Sequence, residues 1–302
     1  MMIKKITPLF RNFCLMALIS LLPFAAQAKE MHLRYEAYWG GFHIADFALS
    51  IVDSDTSFEH RFHLESRGLT RYFSNLSAVA VSKGRIIQPP SSVMSAGPIS
   101  NAAADMTQAE TYIAETYRTE YTNKRHFRWV EIDFGQPGSA ANAVTGTSPI
   151  AGREDRWNPK DKGPEVLDRV EPEFRIGVND PITLVPQIMA IVRAHMAGGP
   201  KTGVAKGFDG RRRFDMNITY LGTAKRTILE VVHDTYRVRI KPNPVAGFKK
   251  RHKTLWNNAA YDFYLSRDGN FTPLQIVPVD HGPVLTMVKV CDQECEIKAE
   301  ED

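Results

Sequence analysis

The stretch that decides the fold is residues 33–51, Leu-Arg-Tyr-Glu-Ala-Tyr-Trp-Gly-Gly-Phe-His-Ile-Ala-Asp-Phe-Ala-Leu-Ser-Ile. Leu33, Tyr35, Ala37 and Trp39 fall on one face of a period-two strand, and Ala45, Phe47, Leu49 and Ile51 on one face of the next. Gly40-Gly41 lies between them, and two glycines accept the positive φ of a tight hairpin turn. After Asp53-Ser54-Asp55 the alternation resumes with Phe58, His60, Phe62 and Leu64 against Glu59, Arg61, His63 and Glu65. Successive strand side chains point to opposite faces, so this pattern predicts a sheet with one apolar face to bury.

Working outward, the same reading predicts strands near 74–87, 112–121 and 127–134. In the second half it predicts strands near 211–221, 227–232, 236–240, 256–265, 271–279 and 284–290. One helix, 181–197, interrupts the series. Asp180 caps it, Pro181 suits its first position, and Gly198-Gly199 stops it. Ile182, Val185, Ile188, Met189, Val192 and Met196 recur at helical spacing, Ile191 and Ala194 widen the apolar face, and Pro186 predicts a kink. The expected fold is mainly β: a curved antiparallel sheet or incomplete, spiralling β-barrel, with the helix packed in or across its mouth.

Residues 1–28 read as a cleaved signal peptide. Lys4, Lys5 and Arg11 precede an apolar stretch at 14–26, and Ala26-Gln27-Ala28 offers small residues at a cleavage site. The stretch is shorter than the roughly 20 residues of a transmembrane helix, so no span is expected after cleavage. The formal charge of +4 then falls to about +1, which removes the basis for a nucleic-acid partner. The remaining 29–302 reads as a single β-rich domain. Residues 90–108 read as a loop, and 135–178, rich in small residues and mixed charge, as a flexible insertion or partner-binding arm.

Catalytic signatures are weak. Val204 stands where a phosphate loop beginning at Gly198 needs Lys, and there is no nucleophile elbow or paired-histidine zinc motif. His60 and His63 point to opposite faces of a strand, which makes them poor joint ligands, and no metal or cofactor is expected. His60, or His281 beside Asp280, is the acid/base candidate of an alternative hydrolase reading. On a strand, Arg212 shares the face of Phe214 and Met216. A cation there needs either a carboxylate partner, for which Asp46 is one candidate, or an anionic ligand. The ligand-contact candidates are therefore Arg212, His60, Trp39 and Phe214. Lys249, Lys250, Arg251 and Lys253 form a basic run that reads either as a solvated turn or sheet edge, or as a contact with an anionic surface. Cys291 and Cys295 remain as an even pair, a disulfide candidate in an oxidising compartment.

Several blocks, in order, resemble the bacterial exported family called domain of unknown function 3108. They are Tyr35-Glu36-Ala37-Tyr38-Trp39-Gly40-Gly41; Ser66-Arg67-Gly68-Leu69 with Tyr72-Phe73; and Asp180-Pro181-Ile182. Phe208-Asp209-Gly210-Arg211-Arg212-Arg213-Phe214-Asp215, Val245-Ala246-Gly247-Phe248 and the last strand pair with Pro273 follow. The resemblance implies a β-rich envelope protein and carries no catalytic residues; segment 135–178 and the Cys291/Cys295 tail depart from its pattern. By fold-level analogy it suggests the curved half-barrels of periplasmic lipoprotein carriers. The expected function is a non-enzymatic periplasmic envelope protein that binds a lipid-like amphiphile or an envelope protein. Hydrolysis of envelope material, or scaffolding through the 135–178 arm, are the alternatives.

Overall fold

The computed structural model describes residues 29–89, 110–124, 126–149, 165–167 and 169–297. The signal segment 1–28, the expected loop 90–108 and part of the expected insertion, 150–164 with 168, lie outside the described residues.

The first eight strands are β1 (Lys29–Trp39), β2 (Phe42–Asp53), β3 (Ser57–Ser66), β4 (Ser77–Ile87), β5 (Thr111–Thr122), β6 (His126–Asp133), β7 (Asn142–Pro149) and β8 (Glu165–Val166). The last six are β9 (Thr202–Phe208), β10 (Arg213–Ile228), β11 (Val231–Ala246), β12 (Tyr261–Ser266), β13 (Pro273–Pro278) and β14 (Val284–Cys291). All fourteen join one sheet, in the order β8 to β1, then β14 back to β9. The two meanders meet where β1 pairs antiparallel with β14, Leu33 opposite Val290. The edges are β8 and β9.

Helix α1 (Gly68–Ser74) links β3 to β4, α2 (Leu184–Met196) precedes β9, and α3 (Lys250–Asn257) links β11 to β12. Leu184, Ile188, Met189 and Val192 of α2 belong to one buried cluster with Leu33, Ile51, Ala80, Ile132, Phe214, Val238 and Leu265. Strands from both meanders thus wrap one helix, which is how so large a sheet buries its apolar face. The expected curved sheet with one main helix is the fold, and the helix lies inside the curve.

Asp180 anchors that helix. Its Oδ1 accepts the backbone N–H of Ile182 (2.9 Å) and Thr183 (3.1 Å), and its Oδ2 accepts the hydroxyls of Thr183 (2.7 Å) and Ser82 on β4 (2.6 Å). Because α2 begins at Leu184, Pro186 falls in its first turn, where a missing N–H removes no helical bond. The kink expected there has no physical cause.

Three other readings are corrected. Part of the expected insertion is ordered sheet: β7, β8 and a 3-10 turn at Pro172–Arg175. Its small residues misled the reading, yet Gly146 of β7 is required, since a Cβ there would lie 2.5 Å from Trp129 Nε1. The strands expected near 227–232 and 236–240 belong to the long hairpin of β10 and β11, turning at Leu229 and Glu230 with φ of 47° and 67°. Neither residue signals a turn, because positive φ ordinarily selects Gly or Asn. The basic run forms α3, not a turn or a sheet edge.

Candidate functional site

Between the start of β5 and the free edge of β9 the sheet does not close, because β6 pairs with β5 only from Thr116 onward. The segment 176–180 crosses this seam. The backbone N–H of Asn179 donates to Lys206 O (2.9 Å), and its C=O accepts from Phe208 N (2.8 Å). Its side chain serves the other edge: Oδ1 accepts from Ala114 N and Nδ2 donates to Tyr112 O, both at 2.8 Å. Gln187 of α2 adds an acceptor for Tyr112 N at 2.9 Å. Edge groups of β5 that no strand covers are thereby satisfied by two side-chain amides.

Beside this seam lies a cavity of about 330 Å³, within the range of small-molecule sites, roughly 300–1,000 Å³. Its apolar wall includes Ile113, Phe134, Val178, Ile191 and Ala194, with Val204 and Ala205 from β9. Arg175, Lys206, Ser139 and Gln136 supply polarity, and among the described residues no carboxylate lines it. Arg175 is 9% exposed. Its Nη1 donates to Ala141 O at 2.8 Å, while its buried Nε has no partner. Arg175 was not legible as a site residue, since nothing in Pro-Glu-Phe-Arg marks the arginine for burial.

The expected ligand contacts do not come together there. Arg212 precedes β10 and is tied to Asp209, its Nη2 2.8 Å from Oδ2, with its guanidinium 5.7 Å from the Trp256 ring. It is therefore a paired residue that packs on Trp256 and Phe248 at the start of β10, not a free cation in the cavity. Arg213, the first residue of β10, is the buried arginine, paired with Asp215 two residues along the strand at 2.8 Å. Asp46 pairs elsewhere, with Arg67 (2.8 Å), Arg34 (3.2 Å) and His43 (2.8 Å). Phe214 is core, against Trp256. Trp39 is 59% exposed at the β1–β2 tip, after a bulge at Ala37/Tyr38 shifts the register.

His60 is fully buried, stacked on Phe58, with Nε2 2.9 Å from Asp53 Oδ1. Asp53 Oδ2 accepts from the Tyr112 hydroxyl at 2.7 Å, and burial together with the Asp53 charge pushes that phenol well above its usual range. This chain stiffens the core; a histidine without solvent access does not reach a substrate. Asp280 and His281 lie exposed between β13 and β14. Glu36, His43 and Asp46 approach one another closely enough to hold a metal ion, but Asp46 already faces two guanidiniums, which oppose a cation. Arg211 also has a buried, unpartnered Nε, and burial with nearby Arg128 lowers its pKa, but it is not part of the cavity wall.

At the end of the sheet where β1 turns into β2, α1 and the β1–β2 tip expose apolar groups. Tyr72 and Phe73 are 73% and 75% exposed, Leu69 of the same helix and Phe42 of the β1–β2 tip are exposed too, and Lys124 lies 4.8 Å over the Tyr72 ring. Helix α3, with exposed Lys250, Arg251 and Lys253 after Lys249, caps the same end. A disulfide joins Cys291 to Cys295, and Cys295 packs with Ala48 and Ile297. Among the described residues no helix is long and apolar enough to cross a membrane.

No protein-family model matches the chain, and no curated protein matches it. Among solved structures, it is similar to a β-barrel-like protein of domain of unknown function 1849 from Brucella abortus. The two share 10% identity over 88% of this chain and 98% of that one, with a TM-score of 0.43.

Proposed function

We propose that this is a periplasmic cell-envelope protein that binds a lipid-like, single-chain amphiphile in the seam cavity without catalysing its conversion. The observation that carries the reading is the apolar cavity between β5, α2 and β9. Its volume lies near the lower bound for ligand sites, which favours one acyl chain over a whole two-chain lipid. The signal segment, the Cys291–Cys295 disulfide and the motif resemblance to the exported family support the location and the kinship. In that motif Asp209 Oδ1 accepts the N–H groups of Arg211 (2.9 Å) and Arg212 (2.7 Å), so the aspartate builds the β9–β10 turn. The test is binding of dodecanol to the purified protein and to Ala194→Phe, which fills the cavity from α2. Binding lost in the variant with an unchanged melt supports the reading; no binding to wild type overturns it.

A second reading, that the protein touches an anionic membrane, rests on the exposed Trp39, Phe42, Leu69, Tyr72 and Phe73 at the end that also carries α3. Amphipathic aromatics with flanking cations suit a lipid headgroup layer. Flotation with vesicles containing anionic phospholipid, reduced in Tyr72→Ser/Phe73→Ser and absent with zwitterionic vesicles, is the expected result. Equal flotation of wild type and variant excludes this surface.

A further inference from the structure

We propose that Arg175 receives the anionic head group, a carboxylate or phosphate monoester, of the amphiphile held in the seam cavity; the assignment rests on the binding function proposed above. Arg175 ends the 3-10 turn and is pinned to the residue before β7 by one backbone and one side-chain hydrogen bond. Ala141 N donates to Arg175 O at 3.0 Å, and Arg175 Nη1 donates to Ala141 O at 2.8 Å. These bonds fix Arg175, which lines the cavity. They use one of its five N–H donors.

The remaining donors are the unusual part. Nε is buried with no partner, and among the described residues Arg175 forms no ion pair. Burying a guanidinium without a counter-charge is costly, so such cations are ordinarily paired. The nearby amides do not compensate, because Asn179 and Gln187 spend their side chains on the β5 backbone. Among the described residues the cavity wall also contributes no carboxylate, while Lys206 adds a second cation. An arginine fork donates to two oxygens of one carboxylate or phosphate. A cation left half-satisfied beside an apolar space matches a ligand with a charged head and an apolar tail.

Dodecanoate and dodecanol share a chain and differ in head charge, so their affinities for the same protein isolate the head-group term. Wild type should bind dodecanoate about tenfold or more tighter at pH 8, as expected for charge-assisted hydrogen bonds, and added salt should narrow the gap. Arg175→Met should bind both at the dodecanol level and melt at or above wild type, since it removes a buried unpaired cation. Arg175→Gln keeps a donor for Ala141 O and should lose the same preference. Equal affinities in wild type, or a preference that survives in Arg175→Gln, overturn the head-group assignment and leave the cavity reading intact. Failure of wild type to bind either probe overturns both. A melt of both variants far below wild type makes Arg175 a structural residue and overturns the assignment.

Discussion

Asn179 donates its side-chain Nδ2–H to the backbone carbonyl of Tyr112 at 2.8 Å, while its own backbone pairs with the far edge of the sheet at Lys206 and Phe208. One residue thus spans the gap between β5 and β9. The two hydrogen-bonding ends of its amide read as a miniature strand, supplying a donor and an acceptor at the spacing of Tyr112 O and Ala114 N. A sheet that does not close must satisfy its edges by other means, and here the solution also forms a wall of the cavity.

Asn179→Ala should therefore cost roughly 1–3 kcal/mol for the buried donor and acceptor left unmade. Amide hydrogen exchange at Ala114 should accelerate relative to paired amides of β2. Asn179→Asp sets a carboxylate oxygen against the Tyr112 carbonyl, which raises that carboxyl's pKa. Its stability deficit should shrink as pH falls through the raised value, because protonation restores a donor. An Asn179→Asp variant whose deficit grows in acid contradicts the seam geometry.

The Asp180–Ser82 contact fixes α2 to β4. Asp180→Ala should destabilise by at least about 2 kcal/mol, from a lost cap and lost charged hydrogen bonds. Ser82→Ala should cost less, and the double mutant should fall short of the sum, since the two residues share one bond. Additive losses in chemical denaturation would show that the contact contributes nothing.

Much of this frame was legible in the sequence. The alternation at 33–64 gave the β1–β3 faces, and Asp180 with the apolar spacing that follows gave the buried helix. What was not legible is where each strand begins and ends. Arg212 lies one residue before β10 begins and pairs with Asp209 of the preceding turn, while the buried Arg213 opens the strand and pairs with Asp215. Trp39 is the last residue of β1, at the hairpin tip, where alternation no longer decides exposure. Asn179 and Arg175 carry no local signal, because their importance comes from a seam between strands that begin about 90 residues apart in the chain.

Asp262 on β12 gives a pH test far from the seam. Burial pushes its carboxyl up, but hydrogen bonds from Arg239 and Arg237 outweigh this and hold it below the usual carboxylate range. A depressed pKa contributes stability above the unfolded value, about 3.9, and loses it as pH falls through the folded value. Asp262→Asn should melt below wild type at pH 7, with the difference shrinking as pH falls below the unfolded value and through the lowered folded one. A difference independent of pH would assign the loss to packing and not to the ion pair.

An acyl chain held in the seam cavity has a position that can be read directly. Photo-crosslinking with a dodecanoate that carries a diazirine on its chain, followed by peptide mass spectrometry, reads that position. The predicted result is labelling at the cavity wall, on Ile113, Ile191 or Val204, lost when unlabelled dodecanoate competes. Labelling confined to Trp39, Phe42, Tyr72 and Phe73, or spread without competition, would contradict it.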